Sequence, residues 1–117
     1  MKTMDPNALF RDFPGAITVC DLDGIILALN NEALETFAAD GGAALLGTNV
    51  LDCHPEPSRS KLKKIMAEGR TNVYTIEKKG VKKLIYQSPW TENKTIRGFF
   101  ELSLVIPDAM PHFLRSS

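Results

Sequence analysis

Cysteine is scarce in this sequence, with only Cys20 and Cys53 among 117 residues. Neither belongs to a Cys-x-x-Cys pair or has a second histidine at a zinc spacing, so neither a disulfide scaffold nor a structural zinc site is signalled. A reducing cytoplasm is therefore the expected location. Net charge is lacking too, since 14 basic side chains balance 14 acidic ones, which argues against generic binding to nucleic acid or an anionic membrane. The opening "MKTMDPNALF" has no apolar core of a signal peptide, and no stretch approaches a membrane span. There is no paired-carboxylate signature, phosphate loop or spacing that favours a Ser-His-Asp set, so no catalytic residue and no metal ligand is nominated.

The even charge total hides a gradient along the chain. Residues 1–58 carry a net charge of −7 and residues 59–97 a net charge of +8. Two solvated faces of opposite sign account for this, and a head-to-tail or partner contact is the sharper reading. The length suits one domain with its own core.

Local signals divide the chain further. Asp5 followed by Pro6, with Phe13-Pro14-Gly15 as the stop, predicts a short helix over residues 6–12 whose apolar side is Leu9, Phe10 and Phe13. "AITVCDLDGIILALN" reads as a hairpin turning at Asp21 to Gly24. A helix capped by Asn30 or Asn31 follows, then a shorter helical turn at "AALLG". Leu62, Ile65 and Met66 line one stripe of a basic helix that Ser58 or Ser60 caps and Gly69 ends. From residue 72 the period changes to two, giving three strands with turns at Lys78-Lys79-Gly80 and Glu92-Asn93-Lys94 and a bulge or release at Pro89. Residues 108–117 form a short tail.

This order, with "VCDLDGIILALNNEAL", "LLGTN" and "GFFELSLVIP", resembles a PAS domain over residues 15–107. The likeness lies in the Asp-x-Asp-Gly turn at Asp21–Gly24, in Asn30 after the second strand, and in the closing strand from Gly98 to Ile106. It implies an α+β fold: a five-stranded antiparallel sheet in the order 2-1-5-4-3, with short helices over one face; residues 1–14, ahead of the matched stretch, read from their own helix signals as an N-terminal helical cap. It also implies a pocket for a small molecule and a role in sensing or dimerisation. The segment "NVLDCHPEPSRSKL" is similar to a PAS subgroup that carries Cys-His-Pro beside hemerythrin-like regions.

Departures from the family matter as well. Val50 stands where the flavin photosensor branch has its adduct-forming cysteine, which disfavours flavin. Heme-bearing PAS sensors carry a histidine within the long helix, whereas His54 lies one turn earlier. The last strand meets Pro107 instead of entering a coiled coil, so no output domain is expected within this chain.

Cys53-His54 makes a poor nucleophile pair, because neighbouring side chains diverge. The plain alternative is that Leu51 packs inward, Asp52 and His54 bond to the chain, and Pro55 and Pro57 stiffen the approach to the helix. The ligand-contacting set nominated is His54, Leu51, Leu62, Met66, Tyr74 and Tyr86, with the two tyrosines assigned to one inner face alongside Ile76 and Leu84. Glu101, opposite in direction to Phe100 and Leu102, is expected to pair with a lysine such as Lys83. The sequence thus reads as a cytoplasmic sensory module that binds a small ligand and forms a homodimer or meets a signalling partner. A heme sensor using His54 and a ligand-free dimerisation module are the alternatives.

Overall fold

Helix α1 (Pro6–Asp12) begins where the Asp5 carboxylate accepts the Asn7 N–H at 3.0 Å, with Pro6 at the first helical position. In this computed structural model, which describes residues 3–116, the outermost residues of the expected cap and tail (1, 2 and 117) lie outside the described residues. Strands β1 (Ala16–Asp21) and β2 (Ile26–Leu29) form the front hairpin. In its turn, Asp21 Oδ1 accepts the N–H groups of Asp23 and Ile25, both at 2.9 Å. Helix α2 (Asn31–Thr36) is followed by three 3-10 turns, Ala38–Asp40, Gly42–Leu45 and Val50–Cys53.

Helix α3 (Ser58–Glu68) ends at Gly69, whose left-handed φ of 62° suits a residue without Cβ. Its start differs from the sequence expectation. No serine caps it; instead the Glu56 carboxylate accepts the Ser60 N–H at 2.9 Å and its hydroxyl at 2.7 Å. Pro57 occupies the boundary position, so the satisfying acceptor comes from the preceding residue.

Strands β3 (Asn72–Lys78), β4 (Val81–Glu92) and β5 (Thr95–Val105) form the rear meander, and β5 pairs with β1. One antiparallel sheet of order β2-β1-β5-β4-β3 results, the order that the resemblance implies. Ala16, Thr18 and Cys20 of β1 are buried while Ile17 and Val19 are only half-buried, so the helices roof one face. Leu62 and Ile65 of α3 are buried, each contributing roughly 1.5–3 kcal/mol by leaving water.

Two local features set which residues face inward. Lys79 and Gly80, at φ 53° and 79°, make a two-residue turn that pairs Tyr74 with Ile85 and Val73 with Tyr86. Between Trp90 and Thr91 the β4–β5 register slips by one residue, which pairs Gln87 with Glu101. That irregularity falls one position after Pro89, which itself stays paired with Phe99. Past Gln87, β4 has a strand neighbour on one edge only, the situation in which a residue without N–H is tolerated.

Two close approaches lock the layers together. Asn30, 1 % exposed, is bonded throughout: its Oδ1 accepts the Ile17 N–H at 2.9 Å and the Ala33 N–H at 3.1 Å, and its Nδ2 donates to the Gly15 carbonyl at 2.8 Å. It therefore caps α2 and ties that helix to the start of β1. Gly98 lies where a Cβ would overlap the Cys20 carbonyl oxygen and stand 2.5 Å from Trp90 Nε1. The indole N–H uses the gap, donating to that same carbonyl at 2.9 Å.

At an ordinary N-cap, aspartate serves as well as asparagine. Here the amide donor is also in use, so Asn30→Asp sets a carboxylate against the Gly15 carbonyl. We expect a loss of roughly 2–3 kcal/mol, measured by chemical denaturation, with Asn30→Asp no better than Asn30→Ala.

Candidate functional site

The concave face of the sheet carries a row of polar side chains. Asn72, Gln87, Glu101, Thr18 and Leu29 are successive partners across all five strands. Asn72 Nδ2 donates to Gln87 Oε1 at 3.1 Å, and Gln87 Nε2 donates to Glu101 Oε1 at 2.8 Å. Glu101 therefore faces inward and bonds to Gln87. The expected Lys83 partner is instead opposite Val105, four positions along both strands from the Gln87–Glu101 pair.

Above this row is a cavity of about 140 Å³. Its apolar walls include Ile26, Leu29, Phe37, Leu45, Val50 and Phe99, and α3 closes it with Leu62 and Met66. Asp40, Glu101, Gln87, Thr18 and His54 supply polar edges. An apolar cavity of this size takes a guest about as large as benzene.

The wall carrying His54 is placed by the front hairpin. Asn49 Nδ2 donates to the Asp23 carbonyl at 3.1 Å, and the Val50 N–H donates to the Gly24 carbonyl at 2.7 Å. Asn49 Oδ1 meanwhile caps the 3-10 turn by accepting the Leu51 N–H at 2.9 Å. His54 Nδ1 lies 2.8 Å from the Val50 carbonyl, the pairing in which Nδ1 carries the proton and Nε2 is left as an acceptor. Arg59 Nε bonds the carbonyls of Leu51 and His54 at 3.0 and 3.1 Å, fastening α3 to the turn.

Burial pushes the Cys20 thiol up, and the Asp21 charge adds to this while a hydrogen bond with the Phe99 backbone opposes it. Burial also raises Cys53, helped by Asp40 and Asp52. Both thiols are thus weak nucleophiles at neutral pH, and the Cys53-His54 neighbourhood does not generate a thiolate. Tyr74 is raised by burial and by the Glu101 charge. Glu56 is lowered by its bonds to Ser60, so its hold on α3 is present above the ordinary carboxylate range and fades as pH falls through its own lowered pKa. Among the described residues, no three His, Cys, Asp or Glu side chains come together as a metal would need.

Of the residues nominated, His54, Leu62 and Met66 line the cavity. Val50, rather than Leu51, forms its wall, and Leu51 instead gives its carbonyl to Arg59. Tyr74 borders a second, wider groove between α3 and β3–β4, of about 580 Å³. Tyr86 lies on the opposite face, paired with Val73 and Leu102 and stacked on Phe100 at 6.1 Å. The two tyrosines thus do not share a side, because the two-residue turn pairs an even-numbered residue of β3 with an odd-numbered one of β4. Gln87, Glu101, Thr18 and Cys20 are cavity residues that the sequence reading did not nominate.

No family model and no curated protein sequence matches the chain. Solved structures do resemble it. The PAS domain of Bordetella pertussis BvgS is 19 % identical with TM-score 0.63, matching 86 % of this chain and 83 % of its own. A sensory box sensor histidine kinase from Vibrio cholerae is 18 % identical with TM-score 0.62, matching 86 % and 88 %. The Aer2 receptor of Vibrio cholerae, described as a dual PAS-heme oxygen sensor, is 17 % identical with TM-score 0.59, matching 80 % and 95 %. The chain has the PAS fold.

Replacing Gln87 by leucine strands the Glu101 carboxylate beside apolar walls. We expect Gln87→Leu to cost about 1–3 kcal/mol in urea denaturation and the Gln87→Leu/Glu101→Leu double variant to regain much of it. An additive cycle would show the pair to be uncoupled.

Proposed function

We propose that this protein is a sensory module that binds a small molecule in the cavity under α3 and passes its occupancy to a second copy of the chain. The observation that carries the reading is the cavity itself: apolar walls over a hydrogen-bonded polar row, closed by a helix held at Arg59. Convergent polar groups in an apolar pocket fix the orientation of a guest, whereas a space that only completes a core has no use for them. The PAS-fold sensor proteins described above support the same reading by analogy.

Occupancy acts by population shift: a ligand favours whichever arrangement of sheet and helix fits it better. The convex face offers the output surface. Leu84, Tyr86, Leu102 and Leu104 are half-buried there, Val73 is 50 % exposed, and Leu9 of α1 is 55 % exposed. The oppositely charged halves of the chain favour a mate of the same sequence over an unrelated protein.

A heme-based reading is favoured by one observation. His54 keeps Nε2 as an acceptor in the wall that the cavity and the groove share. The cavity as shaped admits a benzene-sized group and not a porphyrin, so heme requires α3 to move away. Were that space to open, His54 would be the residue to hold heme, which would supply gas binding or redox chemistry at its iron.

Native mass spectrometry with an absorption spectrum separates the readings. A co-purifying small mass without visible absorption supports the small-molecule sensor. A Soret band on heme addition that His54→Ala abolishes supports the heme reading, and bare protein that takes up neither leaves the ligand-free dimerisation module. Deleting residues 1–13 should weaken self-association by about tenfold in sedimentation, and an unchanged dimer would exclude α1 from the interface.

A further inference from the structure

We propose that the groove between α3 and the β3–β4 pair is an anion-binding mouth to the cavity, and that the ligand is a small carboxylate whose apolar end is about the size of a benzene ring. This rests on the pocket reading above and names the ligand class for it.

The groove, about 580 Å³, is lined by Lys61, Lys64, Arg70 and His54, and by the polar side chains of Ser58, Asn72, Tyr74 and Gln87. No aspartate or glutamate lines it. Ser58, Lys61 and Ile65 recur at helical spacing with Leu62 and Lys64 beside them, so α3 turns one stripe toward the sheet. Among the described residues, the ion pairs are Arg11–Asp5, Arg70–Glu68 and Arg97–Glu92, and they take in neither lysine. Arg70 is held by Glu68, so Lys61 and Lys64 are the cations of this concave surface outside those pairs, and two like charges gathered there repel one another and concentrate an anion.

A solvated helix face also carries lysines; the surroundings of this one distinguish it. His54, Leu62 and Gln87 belong to both the groove and the cavity, so the two spaces share one partition. The charges on either side are opposite. Asp40 and Glu101 border the cavity, whereas Lys61, Lys64 and Arg70 border the groove. A singly charged anion is therefore repelled from the inner space and drawn to the outer one. That gradient orients the guest: apolar group inward past Leu62 and Met66, carboxylate outward to the cations. The cavity volume limits the apolar part to a phenyl ring or a short alkyl chain.

The test is titration calorimetry on the full chain with phenylacetate and hexanoate, each compared with its neutral amide. The acids should bind about tenfold tighter than the amides at low salt. In Lys61→Gln/Lys64→Gln, two exposed positions where folding is checked by circular dichroism, that preference should disappear while amide affinity stays unchanged. Equal binding of acid and amide, or a preference that survives the double variant, overturns the anion assignment and leaves the pocket reading standing. If none of the four probes binds, the small-carboxylate assignment falls, while the pocket reading is decided separately by whether native mass spectrometry finds a co-purifying small mass.

Discussion

One buried amide holds the architecture in place. Asn30 joins three pieces of chain that would otherwise be independent: the junction before β1, the second residue of β1, and the first turn of α2. A buried carboxamide is economical only when both its ends are satisfied, and this one is. With α2 fixed to the sheet, the chain that follows must cross the concave surface from a set starting point. The 3-10 turns and α3 then roof that surface.

The second fixed point is the front turn. Asp21 folds the Asp-x-Asp-Gly turn around its own carboxylate, and the outward side of that turn gives the Asp23 and Gly24 carbonyls to Asn49 and Val50. His54 owes its position to a hairpin some thirty residues earlier. The segment that leads into α3 is also held by contacts of its own. The imidazole bonds back to Val50, Glu56 caps the helix and Arg59 clamps the turn. The thiols are held protonated by burial and nearby carboxylates.

Much of this was legible in the sequence because its signals are local. Asp5-Pro6, the Asp21–Gly24 turn, Asn30 as a cap and Gly69 as a stop all sit where short-range chemistry puts them. The facing of the rear strands was not, since it depends on parity. Tyr74 and Tyr86 separate because a two-residue turn couples even with odd positions, and Glu101 meets Gln87 because one extra residue near Trp90 resets the count. A strand alternates in its own sequence, but which of its faces joins its neighbour's is decided at the turns. The inner polar row, built from residues far apart in the chain, had no local signal to announce it.

The close approach at Gly98 gives the protein an internal reporter. Trp90 is the only tryptophan, and its indole N–H is bonded to the carbonyl of Cys20, whose residue borders the cavity. A guest that filled that space and shifted β1 would alter the polarity around a single fluorophore, and the emission of this chain would then carry a record of what lies beneath its third helix.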